Sequence, residues 1–300
     1  MSLESLTPQE LLLGIGASLF CVGAIVLFVL KFFQALSDQY DEIRRLFSVQ
    51  AAIVALVMAP AFLGGYWYGL FLSILLGRGL FELIEINRSS KDPFVKKLPL
   101  TYGLAGVVLI SLYTLPLSWH PFVWAICLAL VVGFASAACK APLIMGLVAF
   151  FVSIEALLLL GIRDDRFLLV GLVYILLETS DSFAYLFGRS FGTHKVFPKL
   201  SAGKTLEGYL GGLASAFLAA FLLNKFVYQM DWFPFIALSA CILFSGIAGD
   251  LLVSAYKRNL GRKDFAPVTV LHGGILDIYD AFLVGSIVLL LVDFIQNHTP

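Results

Sequence analysis

The stretch FPFIALSACILFSGIAGDLLVSAYK, Phe233 to Lys257, decides the fold. The stretch as a whole is longer than the roughly 20 residues that one helical bilayer crossing needs, and from Phe233 to Gly249 it carries no charge. It then ends on Asp250, Ser254 and Lys257, whose spacing of i, i+4 and i+7 puts them on one helical stripe. An apolar helix with an acid and a base at one end reads as a membrane span with a polar site at its mouth.

Similar runs fill the chain. Ten spans are expected, at 11–33, 47–64, 66–84, 100–118, 120–138, 141–161, 166–187, 207–224, 233–253 and 276–296. The predicted fold is therefore all-α, a polytopic transmembrane helical bundle of about ten spans. Composition agrees: 60% of the 300 residues are hydrophobic and only 13% are charged, too few to cover a soluble domain of this length. Tight links such as Gly64-Gly65 and Ser118-Trp119-His120-Pro121 separate neighbouring spans. Near the start, Glu4 and Glu10 stand where a cleaved signal peptide would carry bases, so 11–33 is read as a retained span. The four cysteines (Cys21, Cys127, Cys139, Cys241) lie in apolar stretches without metal-ligand spacing and read as small buried hydrophobes.

Lys and Arg give the orientation. Sixteen of the 20 fall on one side of the predicted topology and three on the other, while Arg78 lies within a span. The rich side is the cytoplasmic one, which puts both termini outside. Trp67, Trp119, Trp124 and Trp232 fall near the outer edge, as an aromatic belt does. The expected location is a cell (inner) membrane with the polar site toward the cytoplasm, and the lipid bilayer is the first partner. Zero net charge gives no sign of a nucleic-acid partner.

Texture divides the chain in two. Spans up to about residue 160 hold few ionisable groups, namely Arg78, Glu82 and Glu155, and the first two stand four apart as a self-neutralising structural pair. Residues 1–165 read as N-terminal scaffold helices and 166–300 as the helices that carry the site.

In that second part three helices bring acids to one membrane level. Glu178 and Asp181 share a face, Asp250 heads the stripe already described, and Asp277 and Asp280 follow His272-Gly273-Gly274. Crowded carboxylates repel one another, and a divalent cation relieves this; Mg²⁺ is commonly held by one or two carboxylates with phosphates and waters completing the shell. Lys and Arg in the two adjoining loops suit the remaining phosphate charge, and the glycine pair allows backbone to approach an anion. The chemistry this suggests is displacement at phosphorus. Loop bases as a mere orientation signal, or acids as a transporter's ion path, are the competing readings. Ser201-Ala202-Gly203-Lys204-Thr205 ends like a P-loop but has Pro198 where that motif needs its first Gly, so it is not one.

At these residues the chain resembles the phosphatidate cytidylyltransferases (CDP-diacylglycerol synthases). Two blocks carry the likeness, across roughly residues 174–285. The first is DSFAYLFGRSFG from Asp181, followed by SAGKTLEG from Ser201; the second is SAYKRNLGRKD, Ser254 to Asp264, then HGGILD, His272 to Asp277, and Asp280.

The resemblance implies attack by the phosphate of phosphatidic acid on the α-phosphorus of CTP, giving CDP-diacylglycerol and pyrophosphate. It implies Asp250, Asp277 and Asp280 as Mg²⁺ ligands and, with Lys257, as the catalytic set. Arg258, Lys263, Ser201, Lys204 and Thr205 would meet phosphates or nucleotide. Asp181 and Tyr185 would line the same pocket, and Asp264, His272, Gly273 and Gly274 belong to its signature. CTP and phosphatidic acid are then the substrates, and a homodimer is compatible with the family. The alternatives are a divergent member acting on another lipid or polyprenol phosphate, or a non-catalytic paralogue or transporter. This chain departs from the usual pattern at Ala202, Ala266 and Val270-Leu271, and at Ile278, where the family has Arg.

Overall fold

A computed structural model describes residues 6–30, 40–87, 141–198, 200–267 and 273–298. The described chain is helical: α1 Pro8–Leu30, α2 Tyr40–Leu63, α3 Gly65–Asn87, α4 Ala141–Gly161, α5 Arg166–Phe191, α6 Leu206–Leu223, α7 Trp232–Asn259, the short α8 Ile275–Ile278, and α9 Asp280–His298. A π-helical turn, Asn224–Tyr228, extends α6. The only extended pairing among the described residues is a single bridge between Lys195 and Thr205.

Each expected span within the described residues coincides with a helix; those at 100–118 and 120–138 lie outside them, so the tally of ten rests on the sequence. Among the described residues three helices are long and apolar enough to cross a membrane, Arg166–Phe191, Leu206–Tyr228 and Trp232–Asn259. The last expected span differs. It breaks at Tyr279, with α8 before it and α9 after it. Gly64 and Gly65 both take positive φ, 64° and 47°, which lets α2 turn into α3 within two residues.

The core follows the helical period. Tyr68, Leu72, Leu76 and Leu80 recur every four residues along α3 and are fully buried. α3 packs against α4, where Leu147, Ile154 and Leu157 are also fully buried, and the Tyr68 hydroxyl donates to the Leu157 carbonyl at 3.0 Å. Leu210, Leu218, Phe221, Phe244 and Leu252 point outward, an apolar surface suited to lipid. Trp67 and Trp232 are exposed at helix ends. Cys21 and Cys241 are free thiols on this outward face, not in the core where they were expected; in lipid an apolar surface holds a small hydrophobe as well as a core does.

The closest helix contact is between α5 and α6, which meet through small residues. A Cβ on Gly212 would stand 2.5 Å from the Ser180 carbonyl oxygen and 2.8 Å from Ala184 Cβ. A Cβ on Gly208 would lie 2.8 Å from the Ala184 carbonyl. This approach matters for function because Asp181 lies on α5 between the two contact residues, Ser180 and Ala184.

Gly212→Val forces α5 and α6 apart. Thermal unfolding in detergent should show a loss of about 1–3 kcal/mol, the range for overpacked cores. Gly14→Ala, with no atom within 4 Å of the added carbon, should cause no loss. Equal stability of both variants with the wild type would disprove the close crossing.

Candidate functional site

Two structures built at helix ends make the site. The first is the hairpin between α5 and α6. After Gly192 ends α5, Val196 N–H donates to the Lys204 carbonyl at 3.2 Å and Leu206 N–H to the His194 carbonyl at 2.8 Å. Thr205 then caps α6, its hydroxyl accepting from Gly208 N–H at 3.2 Å. Glu207 in the first turn reaches back and takes the N–H groups of Thr193 and His194 and the Thr193 hydroxyl, the last at 2.7 Å. The likeness to a P-loop is thus superficial. The segment Ser201-Ala202-Gly203-Lys204-Thr205 is a turn ending in a helix cap.

That turn carries Lys204 across to α7, where its Nζ stands 3.2 Å from Asp250 Oδ2. Tyr209 presents its ring 5.9 Å from the same nitrogen. Burial opposes the Lys204 charge, but the carboxylates of Asp181 and Asp250 outweigh it and hold the ammonium above the usual lysine range. Asp280, buried in the first turn of α9, faces the charges of Asp250, Asp181 and Lys204. Three helices therefore send one acid each toward one lysine.

The second structure is the loop from α7 to α8. Asp277 is the third residue of α8, and its Oδ2 accepts from Gly274 N–H at 2.8 Å and Phe265 N–H at 2.9 Å, half of a capping box plus a loop tie. Its Oδ1 meets Lys257 Nζ at 2.5 Å. Both partners are nearly buried, 10% and 11% exposed at the side chain, so this pair is shielded from water and salt. Beneath it lies Glu82 of α3, fully buried, which accepts from Ile275 N–H at 2.8 Å and Leu276 N–H at 2.9 Å. Arg78 pairs with Glu82 at 2.8 Å, as its spacing predicts, and also donates to the carbonyls of Ala266 and Pro267 at 2.8 and 3.2 Å.

The glycine pair serves anions, as expected, but the anions in contact are the protein's own. A Cβ on Gly273 would fall on the Asp277 carboxylate, and one on Gly274 would fall on that of Glu82. No other residue type leaves room for both acids.

The predicted residues regroup accordingly. Asp181, Lys204, Asp250 and Asp280 come together, whereas Asp277 turns to Lys257 and the loop amides. Among the described residues no three His, Cys, Asp or Glu side chains converge tightly enough to hold a metal by themselves. Tyr185 is exposed one turn beyond Asp181. Arg258 braces the hairpin by donating to the Leu200 carbonyl at 3.3 Å, and Ser201 lies in the turn it braces. Lys263 and Asp264 are exposed in the loop after α7. His272, with Val270-Leu271, lies outside the described residues. Ile278 packs half-buried against the apolar core, so the cation usual at that position has an apolar side chain in its place.

Two contributions were not legible in the sequence. Gln50 of α2 donates to Glu178 at 2.5 Å, and α3 holds the α8 loop. The only local signal was the i, i+4 pairing of Arg78 with Glu82.

Comparison with known proteins gives the same direction. The family model described as "Cytidylyltransferase family" matches residues 42–295, and the chain belongs to that family. It is 29% identical to a phosphatidate cytidylyltransferase of Haemophilus influenzae, over 79% of this chain and 93% of that protein. It is 31% identical to a phosphatidate cytidylyltransferase of Staphylococcus haemolyticus, over 44% of this chain and 52% of that one. An uncharacterized protein of Escherichia coli, YnbB, is 37% identical over 39% of each chain.

Lys204→Met leaves the acids of α5, α7 and α9 facing one another without their cation. In detergent at pH 7.5 stability should fall by about 1–3 kcal/mol, the range for a charge-assisted contact. The loss should shrink as the pH drops toward 5, where protonation relieves the repulsion. A loss that stays constant with pH would show that Lys204 is not there to neutralise acids.

Proposed function

We propose that this member of the cytidylyltransferase family transfers the cytidylyl group of CTP to phosphatidic acid at the cytoplasmic surface of a cell membrane. One observation carries the reading: Lys204, on the turn that joins two helices long enough to cross a bilayer, faces acids from three helices. The names of the Haemophilus and Staphylococcus relatives supply the substrate class. A membrane lipid phosphate can meet a water-soluble nucleotide only where spans open to water, and the Lys204 turn joins the ends of two such helices.

In the reaction a phosphate oxygen of the lipid forms a bond to the α-phosphorus of CTP, and the bond to pyrophosphate breaks. Charge accumulates on phosphoryl oxygens, so fixed cations and hydrogen-bond donors stabilise the transition state without a protein nucleophile. Lys257, buried, and Lys204, half-buried, are the cations on hand, and Arg258 stands at the open edge. Asp277 holds Lys257 in place.

Mg²⁺ fits the donor set. Asp250 and Asp280 offer hard carboxylate oxygens, and the buried Asp250 Oδ2 has only the Lys204 ammonium beside it. Those two acids would hold the ion, with phosphate oxygens and water completing its shell, and it would neutralise developing phosphoryl charge. Asp277, grouped with them on sequence grounds, keeps its oxygens for Lys257 and two amides and is proposed as the organiser of that lysine.

Purified protein given labelled CTP, phosphatidic acid and Mg²⁺ should release CDP-lipid and pyrophosphate in equal amounts. Chelation should stop turnover and added Mg²⁺ restore it. Asp280→Asn should cost about 10²-fold or more in kcat, the scale seen when a stabilising group at a developing charge is lost, with normal folding. Asp280→Asn turnover near that of wild type would remove Asp280 from the site, and an inactive wild type beside a working control enzyme would sink the proposed reaction.

A further inference from the structure

Arg78 and Glu82 lie on α3, among the helices read from sequence as scaffold, yet their polar atoms converge on one loop near the other end of the chain. Glu82 Oε1 takes Arg78 Nε at 2.8 Å and Ile275 N–H at 2.8 Å, while Oε2 takes Leu276 N–H at 2.9 Å. Arg78 Nη2 meanwhile donates to Ala266 and Pro267 at 2.8 and 3.2 Å. The pair therefore holds the backbone at residues 266–267 and at residues 275–276. Gly274 yields its side-chain space to the Glu82 carboxylate. Phe71, two turns earlier on α3, packs edge-on against Tyr279 with ring centroids 6.4 Å apart, so the same helix also supports the break before Asp280.

Neutralisation alone does not account for this. An ion pair that served only to cancel two buried charges would be complete at the Arg78–Glu82 contact, and each residue would have no need of backbone partners in one distant segment. What the segment carries is informative: Asp277 at its end orders Lys257, and Asp280 opens α9 beside Asp250 and Lys204.

We propose that Arg78 and Glu82 are positioning residues for the phosphoryl site: they clamp the backbone at residues 266–267 and 275–276 and thereby set where Asp277, its partner Lys257 and Asp280 stand. The inference rests on the reaction proposed above for its effect on turnover, and on geometry alone for the clamp. Neither residue is assigned a contact with substrate. Their chemistry is directional. Only an acceptor at 82 can receive the two amides, and only a forked donor at 78 can bond the carboxylate and the loop carbonyls together.

The test compares Glu82→Gln, Arg78→Lys and the exchange R78E/E82R, each purified in detergent and normalised to folded protein. The exchanged variant keeps a neutral pair but puts a donor where the amides need an acceptor. Amide hydrogen exchange across residues 265–280 is read alongside turnover of labelled CTP and phosphatidic acid over a range of Mg²⁺. In Glu82→Gln the Ile275 and Leu276 amides should exchange about 10-fold faster. The kcat should fall about 10- to 100-fold, as for small misplacements of a reacting geometry. The Mg²⁺ needed for half activation should rise several-fold, while KM for the lipid holds. Arg78→Lys should fall between Glu82→Gln and wild type, and the exchanged pair should do no better than Glu82→Gln.

Turnover of the exchanged pair within about two-fold of wild type would overturn the proposal, as would unchanged amide exchange in Glu82→Gln. Faster amide exchange with unaltered kcat and Mg²⁺ response would overturn it too, leaving a merely structural pair. A wild type that makes no CDP-lipid counts against the proposed reaction instead. The amide exchange of Glu82→Gln then decides the clamp alone, upholding it if faster and overturning it if not.

Discussion

A carboxylate sealed inside a helical bundle has to be given partners, because removing its water costs several kcal/mol. Glu82 has none of its surface exposed and gathers one guanidinium and two backbone amides. Most of what is distinctive in the site follows from that requirement. The amides come from the start of α8, so α8 must lie against α3. Gly274 must be glycine for the acid to reach them. With α8 fixed, Asp277 closes on Lys257, the helix breaks at Tyr279, and Asp280 begins a new helix with its carboxylate among those of α5 and α7.

Much of this was legible from residue order. Apolar runs found the described helices, and the i, i+3 and i+4 spacings singled out Asp181 and Asp250, because a helix brings such positions to one side whatever surrounds it. The grouping of the acids was harder. Asp277 and Asp280 are three apart and look like one face, but a non-helical Tyr279 between them turns one toward Lys257 and the other toward Lys204. Nothing in a run of apolar residues announces such a break. The long-range contacts were less legible still. Arg78 with Glu82 could be read as a pair, but an amide partner has no side-chain type to recognise, and Gln50 with Glu178 is an ordinary polar contact until the helices are packed.

The site holds two ion pairs side by side, Lys204 with Asp250 and Lys257 with Asp277, and they differ in kind. The first is about a quarter exposed, its carboxylate has one oxygen buried beside a single cation, and its lysine sits on a turn. The second is nearly dry and tied to two amides. A phosphate accompanied by a divalent cation offers each member of the first pair a partner of the charge it already prefers, so that pair can part without leaving a bare charge. The second has less freedom to do so and serves as the fixed frame.

The separation between Glu82 and its amide partner Ile275, 193 residues, has a consequence for how the protein is made. At ordinary synthesis rates of about 5–20 residues per second, α3 emerges about 10–40 s before α8 exists. Through that interval α3 carries an acid whose amide partners are not yet translated. Arg78, one turn away on the same helix, is the partner available from the start. The amide contacts of Glu82 are thus made late in synthesis, and the site is complete only once nearly the whole chain is in place.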